Sequence, residues 1–480
     1  MLTTLQKRNA VRATILLLTI VACDRSPTSV GTSVSSLQRD TPPVTVRELR
    51  HRSYDDVMAE VDSASPGFAG AFIDETGTLV VRDVRQVSNE EDRANQLASA
   101  LSARLLTNVG AGRKVRRVSA DFSFAQLRGW LRALMRVRLP SDVATLDIDE
   151  RRNRLVVGLS SMSAIPAMEA AVKSAGVPLH ALLLEKAPRT TLLQAGAFPN
   201  DTSLRHPVRP LMGGVKIDVE AVGTSGGPCT AGFTLTVGGV PSFVTASHCT
   251  TNYASYDNGR IRQPGQLFYF GTIFDFFVGR ESVDVPHQWG LGDGQCPYYA
   301  VGCRWSDAAV VGVDPSIPVS VGRIARASQT NGSMVLGGYP PSVLLAQNSG
   351  HWRVLGREEL FPPLPGAPVM KIGAATGQTT GTISRACIYE VRDPSAPMEQ
   401  KWLLCQFEVS GPAYCGDSGG PVVGVLSSQS GTVALLGIAY SGIEGSACNG
   451  SPFIGYRYSP ITGVVADLYN AYTPWSYVAP

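Results

Sequence analysis

Beyond residue 213 the sequence consists of short runs of β-branched and apolar residues, separated by glycines and turn-forming residues. Examples are GFTLTVGGVPSFVTA, AAVVGV, GTISRACIYEV, PVVGVLSS and VALLGIAYSG. Many short runs at such spacing are typical of an all-β barrel or sandwich. The pattern therefore predicts a β domain over 213–480, with one short helix expected near 460–471.

The preceding segment, 54–187, has no cysteine and alternates strand and helix patterns. Strands are predicted within 70–84, 143–161 and 180–186, and helices within 89–106, 122–137 and 165–175. This combination predicts a small α+β region. The stretch 188–212 contains several prolines among polar residues and is predicted to be a linker between the two regions.

The N-terminus has the features of an export signal. Lys7, Arg8 and Arg12 precede the apolar run 13–22, which is too short to span a bilayer as a mature helix, and Cys23 follows. The letters IVAC resemble the lipobox of bacterial lipoproteins, in which the cysteine is acylated. We therefore expect a lipoprotein-type signal peptide over 1–22, lipid on Cys23, and a Ser/Thr/Pro-rich tether over 23–53. An ordinary secretory signal is the alternative, and both predict export.

The cysteines are distributed unevenly. The chain has nine, and all except Cys23 lie after residue 228. An even set of eight in an exported protein predicts disulfides. Proximity in the sequence suggests the pairs Cys229–Cys249, Cys296–Cys303, Cys387–Cys405 and Cys415–Cys448, although eight cysteines allow 105 connectivities. The spacing does not match a zinc site, so no metal is expected.

Composition and charge restrict the partners. The 480 residues predict two or three domains, and a 44% hydrophobic and 17% charged composition is typical of globular proteins. The net charge of +3 is spread along the chain and gives no indication of a nucleic-acid partner. The basic runs at 113–118 and 149–157 are predicted to be solvent-exposed faces and a turn.

The stretch YCGDSGGPVV places Ser418 among glycines. Glycine is favoured where the backbone turns sharply or approaches another group closely. One interpretation is a turn that exposes a serine hydroxyl beside outward-facing N–H groups, and the alternative is a surface loop. A serine hydroxyl becomes a useful nucleophile only beside a base that a third group orients.

Candidates for that base and for the orienting group lie upstream. His248 follows an apolar strand pattern in SFVTASHCTT, and a disulfide at Cys249 would fix its position. Asp307, at the start of an apolar strand pattern, is the best candidate for the orienting acid, since a carboxylate is otherwise costly to bury there. Asp284 and Asp293 lie in loop-like sequence and are weaker candidates. Each of these residues also has an ordinary structural interpretation.

Taken together, TASHC, SDAAVV and GDSGGP occur in the order His, Asp, Ser and resemble the motifs of chymotrypsin-family serine proteases. CTAGFTLTVGGVPSFVTASHC and KIGAATGQTTGTI look like the bacterial streptogrisin and α-lytic protease branch. The resemblance covers roughly 213–471. It implies two six-stranded antiparallel β-barrels and a cofactor-free serine endopeptidase that acts on proteins or peptides with His248, Asp307 and Ser418 as catalytic residues.

The resemblance also implies roles for backbone groups. The N–H groups of Gly416 and Ser418 would bind the oxyanion, and Ser441 and Gly442 would contact the substrate backbone. Pro412 occupies the position six before the serine where trypsin-like enzymes carry an acid, so a preference for basic side chains lacks support. Cys415 is spaced differently than in chymotrypsin, and 252–306 and 325–368 are long for the bacterial branch.

The segment 54–187 resembles, more loosely, the pro-regions of the same branch, through GAFIDETGTLVV and DIDERRNRLVVGLSS. That resemblance implies an intramolecular partner that assists folding and blocks the site until it is cut off in the linker, so that the chain is made as a zymogen. The alternative is a permanent α+β binding module. For the whole chain, the alternative function is a catalytically silent trypsin-like adhesin or scaffold of the cell envelope.

Overall fold

The computed structural model describes most of the chain after residue 51. The described residues are 52–105, 109–188, 190–192, 204, 207–219, 228–269, 272–288, 296–297, 300–327, 350–358, 360–361, 363–392, 401–444 and 452–471. Residues 51–480 form one compact unit. Among the described residues, no helix is both long enough and apolar enough to cross a membrane. The predicted signal peptide, Cys23 and the tether lie outside the described residues.

Side-chain caps begin two of the helices in the α+β part. The Ser53 hydroxyl accepts a hydrogen bond from the backbone N–H of Asp56, whose carboxylate accepts one from the Ser53 N–H. This reciprocal pair begins α1, which the sequence analysis missed, and a similar pair begins α3. The helices are α1 (Tyr54–Ala64), α2 (Glu90–Leu105), α3 (Phe124–Met135), α4 (Ile165–Ser174) and, near the C-terminus, α5 (Ile461–Ala471).

A three-stranded sheet packs with these helices. Its strands are β1 (Phe68–Ile73), β2 (Leu79–Asp83) and β3 (Val115–Ser119). Strand β3 pairs in parallel with β2 alone and lies at the edge of the sheet. The basic run 113–118, predicted as an exposed face, thus contributes an edge strand. Charged side chains on such an edge discourage pairing with other chains.

A seven-stranded antiparallel sheet forms the first half of the β region. Its strands are β9 (Lys216–Val219), β10 (Pro228–Thr230), β11 (Thr234–Val237), β12 (Val240–Thr245), β13 (Arg260–Tyr269), β14 (Thr272–Asp284) and β16 (Ala309–Val313), in the order β10-β9-β13-β14-β16-β12-β11. The sheet curls around an apolar core that includes Phe243, Val244 and Val310. The ends of β12 and β16 position two of the candidate site residues.

A fourteen-stranded sheet forms the second half. Its strands are β4 (Val143–Asp149), β5 (Arg154–Leu159), β6 (Leu182–Lys186), β7 (Thr190–Leu192), β8 (Leu211–Gly213), β15 (Gly302–Arg304), β17 (Val319–Ala325), β18 (His351–Arg357), β19 (Pro368–Gly373), β20 (Gly377–Val391), β21 (Lys401–Ala413), β22 (Pro421–Ser427), β23 (Thr432–Ile443) and β24 (Phe453–Pro460). The main path runs β15-β21-β24-β23-β22-β19-β20-β4-β5-β6. The prediction of a mainly β fold with barrel-like sheets is therefore confirmed.

The α+β part is joined to the β region through strands. In β4, Thr145 and Leu146 pair antiparallel with Glu390 and Tyr389 of β20, which makes β4, β5 and β6 an extension of the second sheet. The stretch predicted as a linker also contributes strands, since β7 pairs with β23 and β8 pairs with β17. These elements are only three residues long, and so short a run gives no recognisable period in the sequence.

Three of the disulfides suggested by proximity are present, namely Cys229–Cys249, Cys296–Cys303 and Cys387–Cys405. The third joins β20 to β21 and fastens a long hairpin. Cys415 is disulfide-bonded as well, while Cys448 lies outside the described residues.

Candidate active site

His248 lies in a single turn of 3₁₀-helix, Ser247–Cys249, directly after β12. The disulfide from Cys249 to Cys229 ties this turn to β10. The His248 side chain is almost fully buried. The turn that carries the imidazole is therefore tied covalently to the first sheet.

Asp307 lies between β15 and β16 and is fully buried. Its backbone N–H donates to the hydroxyl of Ser459, at 2.8 Å, in β24 of the second sheet. Its Oδ1 atom accepts the backbone N–H of His248 at 3.0 Å. Contacts from both sheets thus fix Asp307 independently of its contact with the imidazole ring.

Ser418 lies in the tight turn between β21 and β22, and the following glycine explains the composition of this turn. Gly419 has φ +82°, and a Cβ there would lie 2.2 Å from the carbonyl oxygen of Thr230. Thr230 donates its N–H to the Ser418 carbonyl at 2.7 Å and its hydroxyl to the Gly416 carbonyl, also at 2.7 Å. Strand β10 therefore supports the turn from the first sheet, at a separation that only glycine permits.

The structure brings the three side chains together. His248 Nδ1 lies 2.9 Å from Asp307 Oδ2, and His248 Nε2 lies 2.7 Å from Ser418 Oγ. Ser418 Oγ is also 3.2 Å from the carbonyl oxygen of Tyr440. A nucleophile, a base and an orienting carboxylate within hydrogen-bond reach of one another form the arrangement that acyl transfer requires. The weaker candidate Asp284 instead pairs with Arg304, and Asp293 lies outside the described residues.

Two backbone donors lie beside the nucleophile. The N–H groups of Gly416 and Ser418 have no acceptor among the described residues, whereas those of Asp417, Gly419 and Gly420 are bonded within the turn or to β23. Unpaired backbone donors are uncommon in native proteins and need a partner. These are the two N–H groups that the resemblance assigns to binding an oxyanion.

A buried ion pair fixes the residue before the nucleophile. Lys371 Nζ lies 2.7 Å from Asp417 Oδ2, and both side chains are fully buried. The same carboxylate accepts the hydroxyl of Thr376 and the backbone N–H groups of Ala375 and Tyr414. Burial lowers the pKa of Lys371, against the opposing effect of Asp417. The sequence analysis noted the KIGAATG motif but gave this lysine no role.

Arg392 also contacts the site, and sequence reasoning missed it. Its Nη2 atom lies 2.5 Å from Asp307 Oδ2. Burial alone would raise the pKa of Asp307, but Arg392 and His248 hold that pKa well below its usual value. The carboxylate therefore stays ionised. An arginine after a strand, 85 residues from its partner, leaves no signal in the sequence.

Strand β23 runs past the nucleophile and carries the residues expected to contact substrate. Ser441 and Gly442 pair with Leu192 and Thr191 of β7, so a segment of the same chain already lies along this strand. A Cβ on Gly442 would lie 2.3 Å from the ring of Phe453. The aromatic ring therefore packs directly against the glycine.

Cys229, His248 and Cys249 also lie close together, with potential ligand atoms within 4.8 Å of one another. Both sulfur atoms belong to a disulfide, and both ring nitrogens of the histidine contact Asp307 and Ser418. This group therefore offers no thiolate to a metal ion.

Among solved structures, the chain is similar to bacterial proteases. For Thermobifida fusca Protease A the identity is 19% and the TM-score 0.32, covering 54% of this chain and 95% of that one. For the Nocardiopsis protease NAPase the identity is 20% and the TM-score 0.32, covering 53% of this chain and 94% of that one. For Cellulomonas bogoriensis chymotrypsin the identity is 16% and the TM-score 0.32, covering 56% of this chain and 98% of that one. No family model matches the chain, and no curated protein does.

Proposed function

We propose that the protein is a serine endopeptidase that hydrolyses peptide bonds through an acyl-enzyme. The observation that carries this proposal is the continuous contact from Asp307 through His248 to Ser418, with distances of 2.9 and 2.7 Å. The unpaired N–H groups of Gly416 and Ser418 beside the hydroxyl support it.

In the proposed mechanism, Ser418 Oγ attacks the scissile carbonyl carbon while His248 Nε2 takes the hydroxyl proton. Asp307 accepts a hydrogen bond from the Nδ1–H of His248 and stabilises the imidazolium. The oxyanion receives hydrogen bonds from the N–H groups of Gly416 and Ser418, where losing one donor typically costs about 3–4 kcal/mol of barrier. His248 then gives its proton to the leaving amine. Water attacks the acyl-enzyme by the same route in reverse.

The test is covalent labelling with a fluorophosphonate probe, followed by peptide mapping. Wild-type protein is expected to label at Ser418, whereas Ser418→Ala abolishes labelling and His248→Ala slows it by several orders of magnitude. Ser410→Ala is the matched control, because Ser410 is exposed on β21. A folded, processed wild-type protein that neither labels nor cleaves a broad peptide library would favour the alternative, a silent adhesin or scaffold.

We further propose that 54–187 is a pro-region that assists folding and blocks the site before cleavage. The pairing of β4 with β20 supports this role, and β7, in the adjoining linker, pairs with β23 close to Ser418. A β-rich domain dominated by non-local pairing folds slowly, and a preformed α+β partner can lower that barrier. Refolding 213–480 with and without 24–187 in trans tests the idea. Equal recovery of labelling would favour a permanent binding module.

Attachment to a membrane through lipid on Cys23 is also a proposal. It rests on the basic residues, the apolar run and the IVAC motif of the N-terminus. Cys23→Ser is expected to move the precursor from the membrane fraction to the soluble fraction. Identical fractionation of wild type and variant would favour an ordinary secretory signal.

A further inference from the structure

Arg392 occupies a constrained position at the end of β20. Its backbone N–H donates to the carbonyl of Lys401 at 2.7 Å, which closes the ladder between β20 and β21. The Cys387–Cys405 disulfide joins the same two strands. The backbone that carries this arginine is therefore held by hydrogen bonds and by a covalent link.

The guanidinium is enclosed as well. Its carbon atom lies 5.1 Å from the ring centre of Tyr253 and 5.3 Å from that of Tyr440, and only 9% of the side chain is exposed. Stacking of this kind favours a planar cation and limits its movement. The two rings come from different halves of the β region, since Tyr253 lies in the turn that follows His248 and Tyr440 lies in β23.

The position of the contact on the carboxylate is informative. Arg392 Nη2 and His248 Nδ1 both approach Oδ2 of Asp307, at 2.5 and 2.9 Å, whereas Oδ1 accepts the His248 backbone N–H. The arginine thus shares the oxygen that supports the imidazole. A positive charge bound to that oxygen offsets part of the field that would stabilise an imidazolium.

We infer that Arg392 is a positioning residue that locks Asp307 in the orientation in which it holds His248, and that its charge extends the activity of the enzyme toward acid. The inference rests on the proposed function. The geometry alone fixes the carboxylate.

Other ionisable groups face this cluster from the elements packed around it. They are Tyr253, Asp284, His287, Arg304, Glu390, Lys401, Tyr440 and Asp467. Burial, with Arg304, Lys401 and Arg392 nearby, lowers the pKa of His287 to about 3, so in the wild-type protein this imidazole does not titrate in the range where acid inactivation is measured. Substituting Arg392 leaves all of these groups in place and isolates the effect of its charge.

The experiment is the pH dependence of the fluorophosphonate labelling rate and of kcat/KM for the processed protein, compared with Arg392→Gln and Arg392→Lys. Each midpoint is read relative to that variant's own plateau, so a loss of folded protein does not alter it. We expect Arg392→Gln to move the acid midpoint up by about one pH unit. Arg392→Lys keeps the charge but loses the stacked guanidinium plane, and it is expected to shift the midpoint less than Arg392→Gln does.

Arg326→Gln is the matched control, because that guanidinium stacks on Trp352 at 4.4 Å instead of contacting the site. Its midpoint is expected to equal that of wild type. The inference is overturned if Arg392→Gln keeps the wild-type midpoint, or if Arg392→Lys shifts as far as Arg392→Gln. A wild-type protein that does not label at all would instead refute the proposed protease function.

Discussion

Thr191 lies directly opposite Gly442 in an antiparallel strand pair, and the next pair joins Leu192 to Ser441. Ser441 follows Tyr440, whose carbonyl oxygen is 3.2 Å from the nucleophile Ser418 Oγ. The strand proposed to bind substrate backbone is therefore already paired with a segment of the same chain. An uncut chain is expected to be inhibited, and the pairing register indicates where it is cut.

Because the two strands are antiparallel, one step forward from Leu192 corresponds to one step back from Ser441, to Tyr440. We therefore predict that maturation cuts the bond after Leu193. N-terminal sequencing and intact mass of the purified protein are expected to give a chain that begins at Gln194. Ser418→Ala is expected to remain whole when incubated alone. Adding a trace of wild-type enzyme separates cutting in trans from self-cleavage, and efficient cutting of pure Ser418→Ala would contradict the prediction.

The contact between the α+β part and β20 is predicted to weaken as the pH rises. Asp55 is buried with Oδ2 3.5 Å from the hydroxyl of Tyr389, and burial raises its pKa to about 8, against the opposing charge of Arg128. Burial likewise raises the pKa of Asp147 to about 6. A raised carboxyl pKa means that the folded state binds protons more tightly than the unfolded state. The stabilising contribution of these two groups is thus complete below about pH 4 and is lost by about pH 8.

Urea unfolding of the Ser418→Ala protein between pH 4 and 9 measures this effect. A shift of this size in Asp55 corresponds to a loss on the order of 5 kcal/mol. Asp55→Asn resembles the protonated form and is expected to flatten the dependence. Asp74→Asn is the control, because hydrogen bonds led by Thr76 lower the pKa of that carboxyl to about 2, below the range of the titration. If the stability of Asp55→Asn falls with pH as steeply as that of the Ser418→Ala protein, the pH dependence does not come from Asp55.

Lys371→Met is predicted to destabilise the turn that carries the nucleophile. It leaves the Asp417 carboxylate buried without its cation, and breaking a buried pair in this way typically costs about 3–5 kcal/mol. The free energy of unfolding measured in urea and the labelling rate of Ser418 are both expected to fall. Arg52→Met removes the exposed pair with Glu60 and is expected to cost less than about 1 kcal/mol. Equal effects of the two substitutions would rule out a special role for Lys371.

Replacing Cys229 and Cys249 together with serine is predicted to lower both stability and activity. The disulfide spans 20 residues and is worth about 3 kcal/mol in the chain-entropy model. Because it also ties the His248 turn to β10, labelling of Ser418 is expected to slow beyond the loss of folded protein. The Cys296/Cys303 double serine variant is the comparison, with a smaller stability cost because its loop spans 7 residues, and with unchanged labelling per folded molecule. If labelling is lost in the Cys296/Cys303 variant and kept in the Cys229/Cys249 variant, the role given to the Cys229–Cys249 disulfide is wrong.

The sequence allowed the three side chains of the site to be proposed because each lies in a short motif beside a strand pattern. His248, Asp307 and Ser418 can be recognised from their immediate neighbours. Helix α1 could also have been found, since Ser53 and Asp56 have the spacing of a capping box before an apolar pattern. These are local signals, and local signals are what a single sequence contains.

The missed features depend on contacts between distant segments. Arg392 acquires its role only where β20 ends next to a carboxylate in the connection between β15 and β16. The three residues of β7 are ordered by pairing with β23, and nothing in the letters TTL specifies that partner. In the same way, nothing in the sequence of β4 specifies β20 as its partner. Strand edges carry no side-chain period that identifies what they join.

The continuity of β20 with β4 has a consequence for the finished enzyme. If the α+β part is removed, the backbone groups around Tyr389 and Glu390 lose their partners and become a bare sheet edge. Such an edge is a template for any extended chain, including a second molecule of the same protein. Maturation would therefore exchange an inhibited, well-covered molecule for an active one that is more prone to aggregate.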